Sequence, residues 1–131
     1  MSDLEKSLKR MKVTLKTSEQ PSTPAHGFTP ATRNWRVTLS RDVGEEKPLR
    51  LTLTILAPTE PTLATVIVCL AKDIEDGDMS LWDFAQTYSM GKTDPGTERM
   101  HKACKRTAPR VKRLFGTSWG LLTNKALSEA A

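Results

Sequence analysis

Between Arg99 and Arg113 the chain carries seven basic residues, Arg99, Lys102, Lys105, Arg106, Arg110, Lys112 and Arg113, and no acid. Cations at this density can neutralise phosphates, and each neutralised phosphate releases a condensed counterion. Wound as a helix at about 100° per residue, Arg99, Lys102, Arg106, Arg110 and Arg113 fall in one stripe, which Lys105 and Lys112 widen. Met100, Cys104, Thr107, Val111, Leu114 and Phe115 fall in a second stripe, suited to docking on a core. Pro109 is expected to kink or divide this helix near Ala108. Like charges three and four residues apart repel by roughly 0.2–0.5 kcal/mol per pair, and Glu98 alone cannot offset them. Relief must come from solvent, from acids elsewhere in the molecule, or from an anionic partner.

The acids are concentrated elsewhere. Asp73, Glu75, Asp76, Asp78 and Asp83 follow one another without an intervening base. Glu75, Asp76, Asp78 and Asp83 form an alternative acidic surface, one that could mimic phosphates against a basic nucleic-acid channel. Asp73, Asp76 and Asp78 could meet a divalent ion, but the later ligands of an EF-hand loop are missing, so an acidic loop at a helix end is the expected form. Cys69 and Cys104 lie in apolar helical patterns and are expected reduced and buried. His26 and His101 add too little for a zinc centre, so no metal and no cofactor is expected. No glycine loop for phosphate, nucleophile elbow or metal-binding triad occurs, and no catalytic residue is assigned. His101 is expected as a polar surface side chain beside Cys104. Helix-turn-helix, zinc-finger and RNP motifs are absent, and aromatics make up 5% of the chain, which argues against base reading and base stacking. Trp35, Trp82 and Phe84 are expected in the core. Trp119, Leu121 and Leu122 either fold back on the core or offer an apolar contact to a second copy.

The elements that must position these residues follow from periodicity. In "WRVTLSR" Trp35, Val37 and Leu39 alternate with polar residues, and in "LRLTLTI" Leu49, Leu51, Leu53 and Ile55 do the same, which predicts a hairpin. "KVTLK" (12–16) is a candidate third strand. A helix is expected next, with Thr59 as cap, Pro61 in its first turn, Leu63, Val66, Ile67, Leu70 and Ile74 on its apolar face, and Gly77 past its end. Ser80 and Asp83 open a short helix carrying Leu81, Phe84, Ala85 and Tyr88. Asp94-Pro95 opens the basic helix, and Gly116 closes it. The fold class expected is α+β, a small antiparallel hairpin or three-stranded sheet packed against three helices. With 131 residues and a net charge of +5, the chain divides into a flexible basic arm and Pro/Ser/Thr-rich linker (1–34), a compact domain (35–116) and a tail (117–131). No apolar run approaches the roughly 20 residues that span a bilayer, and no secretory leader is recognised, so a cytoplasmic setting is expected.

The run from Glu60 to Gly116 resembles a family of small, mostly uncharacterised proteins of tailed bacteriophages and prophages. Those proteins look like a β-hairpin, a "PT-x-x-D-V-L-x-C-L-A-x-D" helix, an aromatic element and a basic helix ending in "L-x-x-F-L-G". Pro61, Thr62, Val66, Cys69, Leu70, Ala71 and Asp73 match, as do Phe84, Tyr88, Arg99, Lys102, Ala103, Leu114 and Gly116. Ala64-Thr65 replaces the family's acid, its Trp has become Gln86 or moved to Trp82, and Pro109 is unusual. The resemblance implies no catalytic residues. It implies a phage accessory protein that occupies a surface of a host machine, such as an inhibitor of host defence of the anti-CRISPR kind. The partner expected is a nucleic acid or nucleoprotein bound through the basic helix, with no membrane and no small-molecule substrate. The other expectation is a structural or assembly protein that works as a homo-oligomer.

Overall fold

The computed structural model describes residues 2–23 and 32–130. Its elements are α1 (Asp3–Arg10), β1 (Val13–Thr23), β2 (Thr32–Arg41), β3 (Leu49–Ala57), α2 (Leu63–Asp78), α3 (Leu81–Tyr88), α4 (Pro95–Phe115), a 3-10 turn (Gly116–Ser118) and α5 (Trp119–Ala130). The α+β class is as expected, with more helix than the sequence suggested.

The three strands form one antiparallel sheet in the order β1-β2-β3. Register places Leu15 opposite Leu39, and Leu39 opposite Leu51, so the alternating apolar residues of all three strands share one face. Trp35, Val37, Leu39, Leu51 and Ile55 are buried on it. The third strand is longer than "KVTLK", because Thr17, Ser18, Glu19 and Gln20 continue the ladder opposite Val37, Arg36, Trp35 and Asn34. Pro21 is tolerated because β1 is an edge strand and the register shifts between Gln20 and Thr23.

The ends of the chain are built into the fold, which corrects the division into arm, domain and tail. In α1, Leu4 and Leu8 lie one turn apart and are fully buried. Ser2 caps the helix by accepting from the Glu5 N–H. Leu122 and Ala126 of α5 are buried in the same core. Polar contacts join the two ends: the Leu4 N–H donates to Glu129 Oε1 at 3.3 Å, and Lys125 Nζ donates to Ser7 Oγ at 2.6 Å. Each terminal helix supplies half of a seam, and neither half is visible in a local sequence window. Residues 24–31, including His26, lie outside the described residues.

Val66, Ile67 and Leu70 of α2 are buried in one core cluster with Trp35, Val37, Leu39, Leu51 and Ile55 of the sheet. The cap of α2 is Thr62, which accepts from the Thr65 N–H at 3.2 Å, rather than Thr59. Gly77 is not a stop signal. It lies buried inside α2, and a Cβ at this position would sit 2.8 Å from the carbonyl carbon and oxygen of Cys104 in α4. The missing side chain is what lets the two helix backbones touch. In an open helix Gly→Ala gains about 0.5–1 kcal/mol; here both obstructing groups are backbone. Gly77→Ala is therefore expected to cost about 1–3 kcal/mol, read as a lower urea midpoint, and a stabilised variant would contradict this close approach.

Candidate functional site

Helix α4 presents the basic stripe. Asp94 Oδ1 accepts from the Thr97 N–H at 2.8 Å and Pro95 occupies the first turn, so the helix start is fixed by cap and ring together. Gly116, at φ +59°, ends it. Between them α4 buries Thr97, His101, Val111, Leu114 and Phe115. The expected break at Pro109 is absent, and α4 runs as one helix of 21 residues. Pro109 and Lys105 are both exposed, and the Lys105 carbonyl is the one that Pro109 leaves without a helical donor.

Arg99, Lys102, Lys105, Arg106, Arg110, Lys112 and Arg113 are all exposed, and among the described residues none forms an ion pair with a carboxylate. Lys112 and Arg113 lie in the last turn, where the helix dipole favours cations. The dipole effect fades beyond the terminal turns, so it does little for Lys102, Lys105 and Arg106. The buried stripe is rotated from the expected one at the N-terminal end: Met100 is 56% exposed and His101 is 5% exposed. His101 turns inward because its ring packs against Phe84, with centroids 5.1 Å apart, and its Nε2 lies 2.7 Å from the Met79 carbonyl. That acceptor belongs to the α2–α3 junction, and nothing near His101 in the sequence announces it.

The positive surface does not end with α4. Arg110, Arg113 and Leu114 line a cleft of about 130 Å³ together with Pro48, Leu49 and Arg50 at the start of β3. Arg41 stands next to this corner and is committed to the fold, donating from Nη1 to the Leu114 carbonyl at 2.8 Å. Arg50 itself points to the solvent face of the sheet, as do Lys16 and Arg36. Sequence reasoning missed these three as site residues. Their outward direction was legible in the period-two pattern, but their assembly on one face depends on the register.

The acidic patch is less available than the sequence suggested. Asp76 is 6% exposed. The Tyr88 hydroxyl lies 2.8 Å from both of its carboxylate oxygens, and Lys72 Nζ lies 3.4 Å from Oδ1. Asp76 is thus an internal anchor between α2 and α3, while Glu75, Asp78 and Asp83 remain exposed. The ammonium of Lys72 titrates above its ordinary value, held by Tyr88 and then Asp76. Asp78 and Lys105 border one shallow cleft without pairing. Asp73, Asp76 and Cys104 bring two carboxylates and a thiol within 4.8 Å of one another. An oxygen–oxygen–sulfur set could hold a zinc-like ion, but the Asp76 carboxylate is already engaged by the Tyr88 hydroxyl, 2.8 Å from each oxygen, and by Lys72. Burial, then the neighbouring Asp73 and Asp76, pushes the Cys104 thiol up, and burial followed by Asp73 does the same to Cys69. Both cysteines are unpaired thiols, and a raised pKa is the reverse of what a nucleophilic cysteine needs.

The apolar candidates are largely used inside the molecule. Leu122 is buried, and Trp119 packs on Phe115 with ring centroids 5.3 Å apart, leaving Leu121 outside. Trp82, expected in the core, is 62% exposed. Helix α3 has eight residues and buries only Phe84 and Ala85, so Trp82 falls on its outer side.

No family model, no curated protein and no solved structure matches this chain.

The Thr97 backbone N–H holds the Asp94 carboxyl below the ordinary aspartate range. A depressed pKa means that the carboxylate stabilises the fold above its unfolded pKa of about 3.9 and that this support disappears as pH falls through the folded value. Asp94→Ala is expected to melt below the wild type at pH 7, with the gap narrowing as pH drops below about 4. A gap independent of pH would contradict a charged cap.

Proposed function

We propose that this protein is a non-enzymatic binding protein that engages the phosphate backbone of a nucleic acid, free or within a nucleoprotein, through α4. The carrying observation is that seven cations stand exposed on one helix with no carboxylate paired to any of them among the described residues. Side-chain repulsion along such a helix is relieved by phosphates at the same surface, and counterion release then supplies the affinity. Binding of this kind positions a protein on the backbone without reading bases. In the phage setting that the sequence resemblance implies, occupying a host nucleoprotein would inhibit a defence complex. Burial of Asp76 and Leu122 weighs against the acidic-mimic and apolar-assembly alternatives.

The test is binding of the purified protein to a labelled duplex and a labelled RNA, titrated across salt. Affinity is expected to fall steeply as salt rises. Reversing Arg106 and Arg110 to Glu is expected to flatten the log–log slope by about two units, near 0.9 for each phosphate that is no longer neutralised. Absence of binding at low salt, or a slope unchanged by the reversal, would overturn the proposal.

A further inference from the structure

The solvent face of the sheet is chemically uniform. Thr14, Lys16, Ser18 and Gln20 of β1, Asn34, Arg36, Thr38 and Ser40 of β2, and Arg50, Thr52, Thr54 and Leu56 of β3 share it by register. It carries three cations, eight hydroxyl or amide side chains, one exposed leucine, no acid and no aromatic ring. No described helix lies on it: the buried residues of the sheet all belong to the opposite face. Across its lower end runs an open trough bordered by Lys12, Lys16, Thr38, Ser40 and Arg50, with Asp42 at the rim. The Asp42 carboxylate is engaged locally, accepting from the Gly44 N–H at 2.9 Å.

Arg50 and Pro48 border both this trough and the cleft that holds Arg110 and Arg113. The positive surface therefore turns a corner at β3, passing from the outer side of α4 to the open sheet without an intervening acid among the residues that line the cleft. Register sets Arg50 across from Thr14 by way of Ser40, and Lys16 across from Thr52 by way of Thr38. Lys16 and Arg50 thus lie about 10 Å apart across the strands and about 7 Å along them, so a single phosphate does not occupy both.

We propose, resting on the phosphate-binding role of α4, that the partner is a nucleic-acid duplex held at this corner, one strand's phosphates seated between Arg50, Arg110 and Arg113 and the backbone continuing over Lys16 on the open sheet. The chemistry of the face selects the occupant. A single strand is held by stacking its bases on aromatic rings, and this sheet presents none on its described solvent face. A duplex keeps its bases stacked on one another and offers phosphates and sugar edges, which cations, hydroxyls and amides bind. Thr38 and Thr52, whose hydroxyl oxygens lie 3.4 Å apart, can donate to phosphate oxygens between the cations.

The experiment is a salt titration of a labelled DNA duplex of about two helical turns against wild-type protein, Lys16→Gln/Arg50→Gln, and Arg106→Glu/Arg110→Glu, with the single strand of the same length alongside. Both sheet residues are exposed, and a single cooperative melting transition in each variant would confirm an intact fold. The expected result is tighter binding of duplex than of single strand, and a log–log slope about two units shallower in the Gln pair. A Gln pair with the wild-type slope, while the α4 reversal weakens binding, would overturn the corner and leave the role of α4 standing. Preference for the single strand would overturn the choice of duplex. No binding by the wild type at low salt would overturn both.

Discussion

Two helix backbones meet at Gly77. A side chain there would sit 2.8 Å from the Cys104 carbonyl, so α2 and α4 pack by backbone approach and not by interleaved side chains alone. The same approach governs where charge can go. Helix α4 buries five residues over its 21-residue length, where α2 buries six over 16. Close approach to α2 supplies van der Waals attraction in place of side-chain bulk, and most of the circumference of α4 is left for cations. Helix α4 also packs directly on β3, which brings Arg110 and Arg113 to Arg50.

The molecule treats its two signs of charge differently. One acid of the negative cluster, Asp76, is drawn inside, where Tyr88 and Lys72 satisfy it and tie α3 to α2. Asp94 is committed to the start of α4. The cations of α4 have no equivalent use: apart from the dipole contribution to Lys112 and Arg113, nothing within the described residues takes up their charge. Glu75, Asp78 and Asp83 stay exposed as well, and under the proposed reading the unpaired cations of α4 are met by an anion from outside. The sheet repeats the pattern with Lys16, Arg36 and Arg50 on a face that no described element covers.

Much of this was legible in the chain. Strict alternation in "WRVTLSR" and "LRLTLTI" marked β2 and β3, and Asp94, Pro95 and Gly116 bounded α4 to the residue, since caps act locally. The exposed stripe followed from helical spacing alone. What was not legible depended on distant partners. Leu4 and Leu8 form a two-residue apolar signal until Leu122 and Ala126 arrive from the other end of the chain. Gly77 looks like a helix stop unless Cys104 is known to pass beside it. His101 has the spacing of a surface residue, and only the Met79 carbonyl explains why it is inside. The link from α4 to the sheet required the register of three strands at once.

Thermal stability of the protein alone, measured from about 10 mM to about 150 mM sodium chloride, tests most directly whether the charge of α4 is unrelieved within the fold. Over that range the screening length shrinks from about 30 Å to about 8 Å. A helix of unpaired cations repels itself, so added salt is expected to raise the melting temperature, and Arg106→Glu/Arg110→Glu to remove most of that rise. A melting temperature that falls with salt would mean that the cations are paired with acids inside the molecule, and would contradict the account.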